Sequence, residues 1–331
     1  MQGGETMARA QAGVAAEARL AHFPVTFFAI GMGMMGLTLA LRAGETAFAL
    51  GPEASRAALL VSLALLGLVA LGYLAKALLH PAAVAAEWRH PVRIAFFPAI
   101  SISLLLLSVV LLEDRPEAAR LVWMAGTALQ GLLALAVIGA WIGHRSFQQG
   151  QLTPAWFIPA VGNVIVPLAG VRLGHPELSW LFFSGGLIFW IVLLTLVMNR
   201  LMFHEPLPGK MVPTLMILVA PPAVSFLAWL RLTGEVGAFG HILLSIAYVF
   251  ALIVASQAAK FTRMPFALSW WALSFPLAAL TIASFAYAAA AGSAPHRLIG
   301  AGLLGLLLLV VAGLVLRTGL GIWRREICIA E

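Results

Sequence analysis

Few side chains in this 331-residue sequence could carry acid–base, nucleophilic or metal chemistry, and they are scattered. The chain has eight histidines but one cysteine, Cys328, which excludes an intrachain disulfide and a cysteine-rich metal site. His241 begins an apolar segment, and the other histidines fall in tails, connections or segment ends. The spacings typical of Ser-His-Asp hydrolases and P-loop enzymes are not found. The residues therefore predict no catalytic centre, no metal site and no cofactor.

One glycine-rich stretch, Gly31-x-Gly33-x-x-Gly36, has the spacing of a dinucleotide-binding fingerprint. That fingerprint follows a strand and opens a helix, whereas these glycines lie in the middle of an apolar segment. Small residues at such spacing allow membrane helices to approach closely. The stretch therefore predicts helix packing and no nucleotide site.

The composition is that of a membrane protein, because 62% of the residues are hydrophobic, 10% are charged and the mean hydropathy is +1.00. Soluble domains average about 25% charged residues. A spanning helix needs roughly 20 apolar residues, and ten segments meet that length. We predict an all-α polytopic fold with spans at 23–41, 57–79, 93–112, 120–143, 155–173, 178–199, 211–231, 238–260, 266–290 and 298–317.

Charge placement predicts the orientation of these spans. Residues 1–22 and 318–331 are expected to be cytoplasmic tails flanking a transmembrane domain at 23–317, and no cleavable signal peptide is expected. Of the 20 Lys and Arg residues, thirteen fall on the side of the tails. The seven on the other side are Arg42, Arg56, Arg115, Arg120, Arg172, Arg231 and Arg297. Since Lys and Arg are enriched in the cytoplasmic connections of membrane proteins, both termini should be cytoplasmic in a bacterial inner (plasma) membrane.

The net charge of the chain is +7. Topology and attraction to membrane lipid are enough to explain this charge, so no nucleic-acid partner is expected.

Prolines separate the spans into two classes. The odd-numbered spans carry all the prolines of the apolar segments: Pro24, Pro98, Pro159, Pro167, Pro213, Pro221, Pro222 and Pro276. Proline kinks a helix, and kinked helices in lipid belong where protein or a water-filled cavity surrounds them. We therefore predict five helical hairpins, with kinked odd-numbered helices around a central pore and even-numbered helices outside.

The predicted pore has no ionisable residue away from the span ends, which disfavours a buried proton relay. Helix-end dipoles and basic rims can still select anions. Arg89 and Arg93, before span three, are either a cytoplasmic anion entrance or ordinary positive-inside charge. Phe275, directly before Pro276, is either an aromatic gate or a core residue.

Four stretches in chain order resemble the tellurite-resistance/dicarboxylate transporter family, which includes the bacterial TehA proteins and the plant guard-cell slow anion channels. They are Phe23-Pro-Val-Thr-Phe-Phe-Ala-Ile-Gly31, Glu87-Trp-Arg-His-Pro-Val-Arg93, Trp156-Phe-Ile-Pro-Ala-Val-Gly162 with Trp180-Leu-Phe-Phe-Ser-Gly-Gly186, and Trp270-Trp-Ala-Leu-Ser-Phe-Pro-Leu-Ala278. The resemblance covers about residues 22–320.

The resemblance implies ten helices in five hairpins, a homotrimer with one pore per protomer, and a phenylalanine of the ninth helix that occludes the pore. By motif that residue is Phe275. The inner-helix prolines Pro159, Pro221 and Pro276 match most securely.

The function expected from these observations is an anion channel or passive transporter. Its partners would be small anions, either dicarboxylates such as malate or oxyanions such as tellurite and sulfite. One alternative is a proton-coupled C4-dicarboxylate carrier on the same scaffold. An alternative of another class is a membrane subunit, or an enzyme, that acts with a cytosolic partner.

Overall fold

The structure, a computed structural model, describes residues 19–143, 147–261, 264–324 and 326–328, so most of the expected N-terminal tail at 1–22 lies outside it. All regular structure in these ranges is helical. In the part of the chain that the structure describes, nine helices are long and apolar enough to cross a membrane, and a tenth apolar helix, Pro154–Gly170, is shorter. We number the main α-helices α1 (Phe28–Ala47), α2 (Glu53–Leu79), α3 (Pro98–Leu111), α4 (Pro116–Gly143), α5 (Phe157–Gly170), α6 (Pro176–Phe203), α7 (Ala220–Thr233), α8 (Gly237–Ser256), α9 (Ser274–Ala291) and α10 (Ala294–Trp323).

Consecutive helices form five antiparallel hairpins, because each odd-numbered helix packs against the even-numbered helix that follows it. The odd-numbered helices begin on the side where α10 ends, which we call the terminal face. They end on the opposite side, which we call the distal face. Two short helices, Pro81–Arg89 and Ala258–Phe261, lie in connections at the terminal face.

The odd-numbered helices form a closed inner ring, since α1 contacts α3, α3 contacts α5, α5 contacts α7, α7 contacts α9, and α9 contacts α1. In the four odd-numbered spans of full length, 67–78% of the most apolar window is buried, against 22–39% in the even-numbered spans. The even-numbered helices expose large apolar side chains, such as Leu71, Leu135 and Leu309, as lipid-facing helices do. The predicted all-α fold with an inner and an outer class of helix is confirmed.

Every inner helix is preceded on the terminal face by a 3₁₀ segment: Val25–Phe27, Arg93–Phe96, Pro154–Trp156, Gly209–Val219 and Leu268–Leu273. Pro98, Pro159, Pro221 and Pro276 each lie within the first three residues of the following α-helix, and Pro24 precedes the first 3₁₀ segment. A proline ring clashes with the carbonyl four residues earlier, and in these four helices that residue lies in the 3₁₀ segment. In these four helices the proline lies next to the change from 3₁₀ to α geometry, whereas Pro167 lies inside α5 and Pro213 inside a 3₁₀ segment. That the prolines kink pore-lining helices stays a prediction.

A buried amide links the outer layer to the ring. The Gln130 side chain on α4 accepts a hydrogen bond from Ser101 Oγ at 2.7 Å. It donates to the Pro159 carbonyl at 2.9 Å and to Asn163 Oδ1 at 3.0 Å. The Gln130 amide lies where a Cβ on Gly162 would be. In a membrane such partners satisfy polar groups that no water reaches.

The glycines of α1 allow close packing within the ring, as the sequence predicts. A Cβ on Gly31 would lie 2.9 Å from Leu66 Cδ1, and one on Gly33 would lie 2.8 Å from Ser274 Cβ. A Cβ on Gly36 would lie 3.0 Å from Ala278 Cβ. Since Gly33 and Gly36 both face α9, they set the position of that helix.

Replacement of Gly33 by alanine is therefore expected to destabilise the ring by about 1–3 kcal/mol, the usual cost of overpacking a core. Gly67 on α2 is the matched control, because a Cβ there meets no atom within 4 Å. The measurement is the thermal unfolding midpoint of each purified variant in detergent. A Gly33→Ala midpoint equal to that of Gly67→Ala would contradict the packing described here.

Four of the five outer helices are longer than the sequence predicts, whereas α8 ends at Ser256, before the expected end at 260. α2 begins at Glu53, before the expected start at 57, and α10 continues to Trp323, beyond the expected end at 317. Charged residues near helix ends mark the hydrocarbon boundary in a hydropathy pattern, but they do not end the backbone hydrogen bonding.

Candidate anion pathway

The inner ring surrounds a cavity of about 960 Å³ near the distal face. We call this cavity the vestibule. All five inner helices and the start of α10 line it. Its inner wall is apolar, with Leu39, Leu106, Leu227 and Ile282 among the lining side chains. The vestibule is large enough for a small hydrated anion or a dicarboxylate.

A second cavity, of about 30 Å³, lies on the terminal side within the same ring. Its lining is entirely apolar and includes Met32, Phe96, Val161 and Ile217, one from each of the first four inner helices or the segments that precede them. We call this narrow cavity the constriction.

Phe275 contributes to the walls of both cavities. Its side chain is 7% exposed, and it packs beside Gly36, where an added Cβ would be 3.4 Å from the ring. The aromatic ring therefore stands between the vestibule and the constriction. That this ring is the gate of a pore stays a prediction.

Local structure directs the Phe275 ring towards the axis. The 3₁₀ segment Leu268–Leu273 gives way to α9 at Ser274, whose Oγ donates to the Trp271 carbonyl at 2.7 Å. Trp271 Nε1 donates to Thr318 Oγ1 on α10 at 3.0 Å. Pro276 follows as the third residue of α9. Hydrogen bonds thus hold the residues directly before Phe275, and a proline follows it.

Four arginines line the vestibule: Arg42, Arg172, Arg231 and Arg297. Arg42 Nη1 donates to the Val110 carbonyl at 2.8 Å and Nη2 lies 3.2 Å from Asp114 Oδ2. Arg297 lies 5.6 Å from the centre of the Phe48 ring. One glutamate, Glu113, faces these cations within the lining. The vestibule is therefore electropositive.

In the sequence, these arginines contribute only to the prediction of orientation. Their position could have pointed to a shared site, since Arg42, Arg172 and Arg231 lie near the ends of three odd-numbered spans. Those ends converge only when the ring closes.

Arg89 and Arg93, the expected cytoplasmic entrance, lie at the terminal face. Arg89 ends the short helix Pro81–Arg89 and is exposed, while Arg93 begins a 3₁₀ segment and is half-buried. Neither lines the vestibule or the constriction. Their role as an entrance stays a prediction.

A buried ion pair at the terminal face was also missed. Lys76 Nζ lies 2.8 Å from Glu87 Oε2, and the two side chains are only 2% and 3% exposed. Tyr73 donates to the same carboxylate at 3.0 Å, and the Val25 amide donates to it at 3.1 Å. The Phe23 carbonyl accepts from Lys76 at 2.8 Å. Sequence analysis counts Lys76 only among the Lys and Arg of the terminal side, whereas the structure buries it with Glu87 beside the start of the first inner segment.

Comparisons with known proteins agree with this architecture. The family model described as voltage-dependent anion channel matches residues 22–319. The chain is 31% identical over 264 residues to the S-type anion channel SLAH3 of Arabidopsis thaliana, covering 78% of this chain and 41% of that protein. It is 25% identical to the guard cell S-type anion channel SLAC1 of the same plant, covering 84% and 52%.

A bacterial relative is matched over more of its length. The tellurite resistance protein TehA homolog of Haemophilus influenzae is 28% identical over 267 residues, which cover 80% of this chain and 81% of that protein. The chain spans about half the length of the plant relatives that it matches. The resemblance read from the four motifs is confirmed.

Proposed function

Because this chain belongs to the voltage-dependent anion channel family, we propose that it is a membrane anion channel or passive anion transporter closed by Phe275. The observation that carries the proposal is the position of the Phe275 ring between an arginine-lined vestibule and an apolar constriction. The permeant species are small anions, either dicarboxylates such as malate or oxyanions such as tellurite and sulfite.

The vestibule and the constriction have different roles in such a pore. The arginines of the vestibule raise the local concentration of anions and repel cations. The apolar constriction holds no fixed charge that would trap an anion, so it stops flow by sterics and by dewetting. Passage requires the Phe275 ring to leave the axis, after which the 3₁₀ segments line the rest of the route.

The proposed setting is a bacterial inner membrane with both termini in the cytoplasm. The excess of Lys and Arg on the terminal face supports this orientation, which makes the vestibule periplasmic. The exposed apolar side chains of the even-numbered helices suit lipid or neighbouring subunits. The assembly is a homotrimer with one pore in each protomer, as the family resemblance implies.

Ion selectivity measured on the Phe275→Ala variant tests the proposal. The purified variant is placed in a planar bilayer between unequal concentrations of potassium chloride, and then of potassium nitrate and potassium malate. The reversal potential is expected to lie near the equilibrium potential of the anion. A reversal potential near that of potassium, or no current from correctly folded protein, would overturn the proposed function.

A second measurement separates passive passage from proton coupling, the main alternative. Malate uptake into proteoliposomes is expected to follow the imposed membrane voltage and to persist in the presence of an uncoupler. Uptake that stops with the uncoupler at constant voltage would favour the coupled C4-dicarboxylate carrier. Absence of flux until a stoichiometric cytosolic partner is added would favour a membrane subunit.

A further inference from the structure

Glu113, in the connection between α3 and α4, places one carboxylate against two arginines of the vestibule. Its Oε1 lies 3.5 Å from Arg172 Nη1, and its Oε2 lies 3.9 Å from Arg42 Nη1. The two arginines come from different inner helices or their ends. One carboxylate therefore bridges two cations that face the same cavity.

The geometry of the bridge is loose. Charge-assisted hydrogen bonds between guanidinium and carboxylate are about 2.7–2.9 Å long when they are well formed. Both contacts of Glu113 are longer, and its side chain is 60% exposed. Exposed pairs of this kind contribute little to stability. Glu113 can therefore leave the two arginines without disturbing the fold.

Arg42 keeps its position without Glu113. Its side chain is 20% exposed, and its guanidinium is held by the Val110 carbonyl and by Asp114. Asp114 does not line the vestibule, so it does not occupy the space that Glu113 fills. Arg42 is thus held at the wall of the vestibule whether or not Glu113 contacts it, and Arg172 lies on the other side of the Glu113 carboxylate.

The surrounding charge favours a replacement anion. Arg231 lines the same cavity and interacts electrostatically with Arg172 and Glu113. With Arg297, the lining holds four arginines against the single carboxylate of Glu113. Two guanidinium groups match an anion with two or more oxygens better than a spherical ion, because each presents several donors in a plane.

We propose that the gap between Arg42 and Arg172 is a binding subsite for a carboxylate or oxyanion, and that Glu113 is a tethered competitor for it. The subsite rests on the proposed function only in that its ligand is the permeant anion. An incoming anion displaces the Glu113 carboxylate and takes over its contacts with the two arginines. Glu113 therefore weakens the binding of each anion that enters the vestibule.

Binding is measured as the thermal stabilisation of the purified protein by sodium malate, since a ligand that binds the native state raises the unfolding midpoint. This measurement does not require transport. The dependence of the midpoint on malate concentration gives the dissociation constant. Glu113→Gln is expected to lower the malate dissociation constant by about two- to five-fold, which corresponds to the energy of one exposed ion pair. Arg172→Gln is expected to raise that dissociation constant. Sodium sulfate at equal ionic strength distinguishes oxyanion binding from carboxylate binding.

Glu117→Gln is the matched control. Glu117 is exposed in the first turn of α4, it does not line the vestibule, and its replacement removes the same charge. It is expected to leave the malate dependence unchanged. An unchanged malate dependence in Glu113→Gln, or an equal shift in Glu117→Gln, would overturn the subsite. Because binding is read without current, a protein that binds malate but carries none would contradict the proposed function and leave the subsite standing.

Discussion

Phe275→Ala is expected to increase anion conductance by about tenfold or more, since lowering a barrier by only about 1.4 kcal/mol has that effect. The ring separates the vestibule from the constriction, so its removal joins the two cavities. Phe275→Leu, which keeps part of the side-chain volume, is expected to give an intermediate conductance. The measurement is current per reconstituted protein in liposome patches at a fixed chloride gradient.

Phe285→Ala is the matched control for this series. Phe285 lies on the same helix, lines the vestibule and is 3% exposed, but it does not reach the constriction. It packs against the Phe48 ring at 6.2 Å and fills the space beside Gly300. Its truncation is expected to lower stability by about 3–5 kcal/mol without raising conductance. Equal conductance in Phe285→Ala and Phe275→Ala would show that loosening α9, and not removing the ring, opens the path.

Lys76→Met is expected to lower the free energy of unfolding by about 3–5 kcal/mol, because it leaves the Glu87 carboxylate buried without a counter-ion. Glu87 also holds the Val25 amide and the Tyr73 hydroxyl, so the loss reaches the start of the first inner segment. The measurement is the unfolding midpoint in detergent, read by tryptophan fluorescence. Because α1 packs against α9, the same variant is expected to increase the leak through the wild-type gate.

Two control variants accompany Lys76→Met: a double variant of the ion pair and a substitution of an exposed lysine. Lys76→Met with Glu87→Leu removes both charges and is expected to recover most of the lost stability, since apolar replacements of a buried pair are often neutral. Lys260→Met removes an exposed lysine of the terminal face and is expected to change stability by about 0.5 kcal/mol or less. A Lys76→Met variant as stable as Lys260→Met would contradict the buried pair.

Helix number and the division into two layers could be predicted from the sequence because both depend on local properties. Hydropathy over about 20 residues decides whether a segment crosses a membrane. A proline such as Pro98 or Pro276 alters the backbone at its own position, whatever lies around it. The close packing of α1 could also be predicted from its glycines, since a residue without a side chain permits close approach of a neighbouring helix.

The exact ends of the helices were less predictable. The sequence ended the tenth span at 317, before the charged and polar residues that follow, whereas α10 runs on to Trp323. Hydropathy detects the hydrocarbon boundary, and backbone hydrogen bonding does not stop there.

By itself, then, the sequence determined a ten-helix membrane protein with proline-bearing inner helices, and its motifs singled out Phe275. Only the tertiary structure decided which charges meet. Arg42, Arg172 and Arg231 are far apart in the chain, and they share one cavity because five helix ends converge when the ring closes. Lys76 and Glu87 pair because the short helix Pro81–Arg89 packs back against the end of α2. Such contacts depend on the register of packed helices, which no local property of the chain records.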